Sequence, residues 1–219
     1  MAKRILILAG HYGSGKTNIA VGLAMEKKRH GRSVAVADLD IVNPYFRTKD
    51  SAEDLAAQGI RLISSEYANS NVDIPALPQE MYAVIDEVET SFILDIGGDD
   101  RGALALGRLT PAILRENDYE MLMVLNFYRP LTRDLFAMQE IMKEIETAAG
   151  IRFTGLINNS NLGEETTAED VLATVELADQ FSLQTGLPLV MTTVREDLYE
   201  ALEKKIPDLF PLQLQKKYY

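Results

Sequence analysis

The sequence predicts a doubly wound α/β fold, a mostly parallel sheet with helices on both faces. Three observations carry that expectation. Short apolar runs alternate with longer stretches of helical period along nearly the whole chain. Several runs are apolar at consecutive positions, as strands covered on both faces of a parallel sheet should be. The first run leads directly into a glycine-rich loop and then an amphipathic stretch, the order in which such folds build anion sites.

Taken in chain order, the apolar runs predict strands at Ile5–Ala9, Ser33–Asp38, Ile60–Ser64, Ser91–Ile96, Glu120–Asn126, Phe153–Asn158 and Leu187–Thr192. Helices are predicted between them at Lys16–His30, Pro78–Glu89, Arg101–Arg115, Thr132–Ala149, Thr167–Thr185 and Glu196–Lys204. In Thr132–Ala149 the residues Leu135, Met138, Ile141, Met142 and Ile145 fall on a single helical stripe. Strand then helix in this order implies right-handed crossovers. Ligands in such sheets sit at the carboxyl ends of the strands, so chemistry is expected just after each apolar run. The segment 48–78 is the least regular part, and its end, 73–78, is a Pro-bounded loop with no clear period; it reads as a surface excursion on the active side.

Composition narrows the rest. A length of 219 residues favours one domain over 1–219. Hydrophobic residues make up 47% and charged residues 25%, an ordinary globular balance. The formal net charge of −11 counts against general nucleic-acid binding, because such a surface repels phosphate backbones. The absence of Cys excludes disulfides, thiolate metal sites, iron–sulfur clusters and a Cys nucleophile, and fits a reducing compartment. The first apolar run is too short for a signal peptide, and no segment approaches the roughly 20 apolar residues of a membrane span. A cytoplasmic protein is the expectation.

Directly after the first strand stands Gly10-His11-Tyr12-Gly13-Ser14-Gly15-Lys16-Thr17, a full match to G-x-x-x-x-G-K-[ST]. Glycines let the backbone curl so that successive N–H groups face phosphate oxygens, and the following helix adds its positive dipole end. Lys16 is expected at the β- and γ-phosphates and the Thr17 hydroxyl on Mg²⁺, with Asn18 next to them at the start of the helix. The loop therefore predicts a nucleoside triphosphate site. A magnesium-bound triphosphate also requires a carboxylate at the end of a second strand. Two segments offer one: Asp95, in Asp95-Ile96-Gly97-Gly98-Asp99, and the pair Asp38 and Asp40, two residues apart. Each is also consistent with a solvated Asp at a strand end.

These motifs, in this order, resemble the MinD/ParA/CobQ group of ATPases, in the same broad class as the nitrogenase iron protein. The resemblance rests on Gly10–Thr17, on the run Asp38–Arg47 (DLDIVNPYFR), on Asp95–Asp99, and on Gly155-Leu156-Ile157-Asn158-Asn159-Ser160. It spans roughly Lys3 to Leu202. It implies that Asp40 positions the attacking water in a first switch and that Asp95 holds magnesium through a water. It implies that Gly98 senses the γ-phosphate and that Asn159, or else Asn158, reads adenine. The stretch Thr193-Val194-Arg195-Glu196-Asp197 would wrap the base. It further implies ATP or ADP with Mg²⁺ as ligands, and a homodimer meeting face to face across the nucleotide.

One position departs from that pattern. Relatives carry a second lysine just after the first glycine, where this chain has His11. A neutral imidazole does not supply the same charge, its ordinary pKa being about 6.5. Either His11 is held protonated beside the triphosphate, or the contact comes from elsewhere, or the dimeric switch differs; a packing role in the loop is the plain alternative. Other features have two readings each. Asn43–Arg47 reads as a partner contact or as a turn with packed rings, and Asn126–Pro130 as a nucleotide or partner contact or as a strand cap. Arg101 reads as a surface ion pair or a phosphate sensor. In the tail 206–219, Pro207 and Pro211 break any helix long enough to grip a membrane, which favours docking on the body or on a second subunit.

The function expected is a slow Mg²⁺-dependent ATPase acting as a nucleotide-dependent switch, with an unidentified protein partner. An ATP-dependent phosphotransferase or ligase of the CobQ/dethiobiotin synthetase kind is the alternative, with 48–78 helping to form an acceptor pocket. A module that holds nucleotide without turnover is a third. The N-K-x-D base-reading motif of GTPases is missing, which leans towards adenine.

Overall fold

The computed structural model describes residues 3–39, 51–64, 77–98 and 100–214. Its strands are β1 Ile5–Ala9, β2 Ser33–Leu39, β3 Arg61–Ser64, β4 Thr90–Ile96, β5 Tyr119–Leu125, β6 Gly155–Asn158, β7 Leu189–Arg195 and β8 Leu209–Leu212. They form one sheet in the order β3-β2-β4-β1-β5-β6-β7-β8, and every pairing is parallel. The helices are α1 Lys16–Arg29, α2 Ala52–Ala57, α3 Gln79–Asp86, α4 Asp100–Glu116, α5 Leu135–Ala149, α6 Ala168–Thr185 and α7 Tyr199–Leu202.

The consecutive apolar residues of β1 are explained by the two cores they serve. Ile5, Ile7 and Ala9 enter a cluster with Met81 of α3, Leu106 of α4, Met138 of α5 and Phe181 of α6. Leu6 and Leu8, on the opposite face by the strand's two-residue alternation, join Ile19 and Leu23 of α1. A strand so placed has no solvent side, and all five of its residues are buried.

Helix ends are closed by identifiable groups. Arg4, buried just before β1, donates to the carbonyls of Val84, Ile85, Glu87 and Thr90 and pairs with Glu116 at 3.0 Å. A buried cation is thereby seated at the C-terminus of α3, where the helix's negative dipole end favours it. Asp134 caps α5 by accepting from the Ala137 N–H at 2.8 Å, and Gly150 ends it with a left-handed φ of 65°.

Two elements differ from the expectation. Helix α2 lies inside the segment read as irregular; it has six residues with only Leu55 buried, too few to show a period. Residues 209–212 of the tail form β8, which pairs only with β7, from Thr192↔Leu209 to Arg195↔Leu212. Pro211 is tolerated there because the outer side of an edge strand needs no ladder donor. Leu212 packs so closely on α1 that a Cβ at Gly22 would stand 2.8 Å from its Cδ2. Among the described residues, no helix is long and apolar enough to cross a membrane.

Candidate functional site

The carboxyl ends of β1, β4, β5, β6 and β7 converge on the loop between β1 and α1. That loop turns on a bond from the Ser14 N–H to the His11 carbonyl (3.2 Å) and enters α1 at Lys16. The N-cap position is Gly15, with a φ of 90° and no side-chain cap, and the first turn of α1 carries no acidic residue. No N-cap side chain closes this helix start, and the helix presents its positive end to the loop. Lys16 is only 5% exposed, and its Nζ donates to the carbonyls of Gly10 (3.0 Å) and His11 (3.1 Å), across the mouth of the loop.

The Thr17 hydroxyl donates to Asp95 Oδ2 at 2.7 Å. Asp95 ends the apolar run of β4 and is 1% exposed; Asp38, its register partner on β2, is also buried. A hydroxyl and two carboxylates at adjacent strand ends form a set of hard oxygen donors, which suits Mg²⁺ and not a soft metal. Among the described residues, no cluster of three or more His, Cys, Asp or Glu side chains gathers elsewhere. The turn after β4 is pressed onto the loop: a Cβ at Gly98 would collide with the main chain of Tyr12, so only glycine fits. Asp40 and the run Asn43–Arg47 lie outside the described residues, as do Asp99 and 65–76 of the excursion.

Both asparagines at the end of β6 are buried and committed to protein partners. Asn158, 0% exposed, donates to the Thr174 hydroxyl and accepts from the Ser160 hydroxyl (2.7 Å) and N–H (3.2 Å). Asn159, 4% exposed, donates through Nδ2 to the Ser14 carbonyl (2.6 Å) and accepts through Oδ1 from the Thr193 hydroxyl (2.6 Å). Its amide so fills the space beside Gly15 that any Cβ there would overlap it. Asn159 is thus a strut between the loop and β7. Sequence reasoning placed Thr193 only in a stretch expected around the base and did not reach this bond, because partners 145 and 34 residues apart leave no local signal.

Beside the strut lies a cavity lined by Asn159, Asn161, Gly163, Thr166, Val194, Arg195 and Leu214, among others. Val194 and Arg195 both line it. Arg195 holds its rim together: the guanidinium grips Asp197 through Nε (2.5 Å) and Nη2 (2.8 Å), and Nη1 donates to the Glu164 carbonyl at 2.5 Å. The bidentate bond raises the Arg195 pKa and holds the Asp197 carboxyl below the ordinary aspartate range. His11 is half-buried in the loop, its Nδ1 2.9 Å from the Tyr12 carbonyl.

Fold and loop together define a nucleotide-binding α/β domain of the P-loop class. The chain belongs to the CobQ/CobB/MinD/ParA nucleotide binding domain family, which matches residues 5–205. Comparison with curated proteins gives no match. Among solved structures, the cell division protein FtsY of Thermotoga maritima is similar at 19% identity and a TM-score of 0.61, over 88% of this chain and 62% of that one. FtsY of Mycoplasma mycoides is similar at 17% identity and a TM-score of 0.58, over 87% and 60%. The signal recognition particle 54 kDa protein of Aeropyrum pernix, solved in complex with GDP, is similar at 18% identity and 0.55, over 88% and 41%. This chain therefore spans about three fifths of the two FtsY chains, and the likeness is one of fold.

Proposed function

We propose that the protein binds ATP with Mg²⁺ and hydrolyses it slowly, as a switch whose partners respond to the bound nucleotide. The observation that carries this reading is the joining of Lys16, Thr17 and Asp95 at one uncapped helix N-terminus. The loop's main chain and Lys16 would cradle the phosphates, with Thr17, Asp95 and Asp38 beside the metal. Magnesium there supplies charge neutralisation on the β- and γ-phosphate oxygens. Asp40, two residues beyond Asp38, is assigned to orienting water by the family resemblance alone. Such a site works by positioning and electrostatics and needs no covalent intermediate.

Adenine is favoured over guanine by what lines the cavity. Among the described residues its lining holds Asn, Ser, Thr and apolar side chains with Arg195, and no carboxylate, whereas a guanine reader places an acidic side chain against the donor edge of the base. Asn161, in the lining, likewise spends its side chain on the protein, donating to the Asn159 carbonyl (2.7 Å) and accepting the Gly163 N–H (3.0 Å), so it shapes the wall of the cavity. A homodimer formed in the ATP state is part of the proposal.

Lys16→Ala is expected to abolish ATP binding in calorimetry while thermal unfolding stays cooperative. Undiminished affinity in that variant would overturn the site assignment. Purified protein is expected to turn over ATP with no acceptor present, and turnover seen only after a metabolite is added would favour the phosphotransferase reading.

A further inference from the structure

We propose that Arg129 is a second phosphate-binding cation, acting within the same chain on the polyphosphate of the bound nucleotide. This inference rests on the nucleotide-binding reading above and names a contact which that reading does not include. Arg129 follows β5, in the turn Asn126–Thr132. The turn is held rigidly. Asn126, 1% exposed, accepts the Arg129 N–H on its main-chain carbonyl (3.3 Å) and the Thr132 hydroxyl on the same oxygen (2.6 Å). Its Oδ1 accepts the Tyr128 N–H at 3.1 Å. Phe127 is buried, and the Tyr128 hydroxyl is tied to the Asp170 carbonyl at 2.9 Å. Residues on both sides of Arg129 are anchored, and its side chain is sent across to the loop.

There the side chain lies along Gly13. Nε donates to the Gly13 carbonyl at 2.8 Å, and a Cβ at Gly13 would stand 3.4 Å from Nε and 3.9 Å from Cζ. A single bond through Nε leaves the fork of Nη1 and Nη2 uncommitted: among the described residues no carboxylate pairs with this arginine. A planar fork held at the rim of a phosphate cradle is suited to bidentate contact with phosphate oxygens. The loop's own residue next to Gly10 is His11, largely neutral at pH 7 by its ordinary pKa of about 6.5, so Lys16 is the loop's sole permanent cation. Arg129 supplies another from a neighbouring strand.

The test compares Arg129→Gln and Arg129→Lys with the wild type in calorimetric titrations of ATP, ADP and AMP with Mg²⁺, at two ionic strengths. Loss of a charged hydrogen bond to phosphate is expected to weaken ATP binding about ten- to hundredfold. ADP should be weakened less and AMP least, the salt dependence of ATP binding should become shallower, and Lys should recover part of the loss. A uniform loss for all three nucleotides would overturn the proposal and leave Arg129 as a brace for the Gly13 turn. Unchanged affinities would overturn it as well. In either case nucleotide binding by the wild type would keep the parent reading intact, whereas a wild type that binds none of the three would overturn both.

Discussion

At the scale of single residues, the site depends on side chains that join the loop to distant strands. Asn159 is the clearest. Its Nδ2 meets the Ser14 carbonyl and its Oδ1 the Thr193 hydroxyl, so the chemical difference between the two ends of the amide is used. Asn159→Asp replaces the donor by an oxygen facing a carbonyl. The expected cost is about 1–3 kcal/mol of stability, the range for a buried polar group left unsatisfied, with weaker nucleotide binding because the loop shifts. Thermal unfolding and calorimetry on that variant check both, and unchanged values would show that the strut carries no load. The motif Gly10–Thr17 announced the cradle, since its spacing is local. The bonds that brace it were not legible, because Arg129 and Asn159 meet the loop from 116 and 145 residues away.

Among the elements, α6 shows how a helix start is written locally. Thr167 accepts the Asp170 N–H and donates its hydroxyl to the Asp170 carboxylate, which also accepts the Thr167 N–H, a complete capping box. Thr167→Ala is expected to cost about 1 kcal/mol in urea unfolding. Bonds from the Thr167 side chain and main chain hold the Asp170 carboxyl below its ordinary value of 3.8. A carboxyl with a lowered folded-state pKa stabilises the fold above its unfolded value, and that contribution fades as pH falls through the folded one. Comparing stability at about pH 6 and pH 3, the acid-induced loss should be smaller in Thr167→Ala than in the wild type. An equal loss would remove Asp170 from the acid response. The strands were legible for a related reason: β1, β2 and β4 are covered on both faces and carry consecutive apolar residues at Ile5–Ala9, Val34–Ala37 and Phe92–Leu94. Strand β8 did not, because Leu209-Phe210-Pro211-Leu212 is four residues long, contains proline and is half-buried for much of its length.

For the molecule as a whole, the tail is part of the sheet and of the cavity wall. Leu212 is buried against α1, and with Leu214 it lines the cavity next to Val194. Leu212→Ala is expected to cost about 2–5 kcal/mol and to weaken ATP binding modestly, because the wall behind the base site loosens. Urea unfolding with calorimetry on the same preparation separates the two effects, and full stability in the variant would show that β8 is an ornament of the fold. The doubly wound architecture was legible in the alternation of runs, and the strand order was not. Pairing across a sheet is decided by crossovers of dozens of residues, about which short-range pattern is silent.

The central place of β1 bears on how the protein comes into being. Its two neighbours are β4 and β5, whose last residues are Ile96 and Leu125. As the polypeptide leaves the ribosome, the five greasy residues of β1 therefore wait for partners made much later. The phosphate cradle is therefore made before the strands that flank it and completed only after them, which favours slow maturation and exposure to chaperones in this topology.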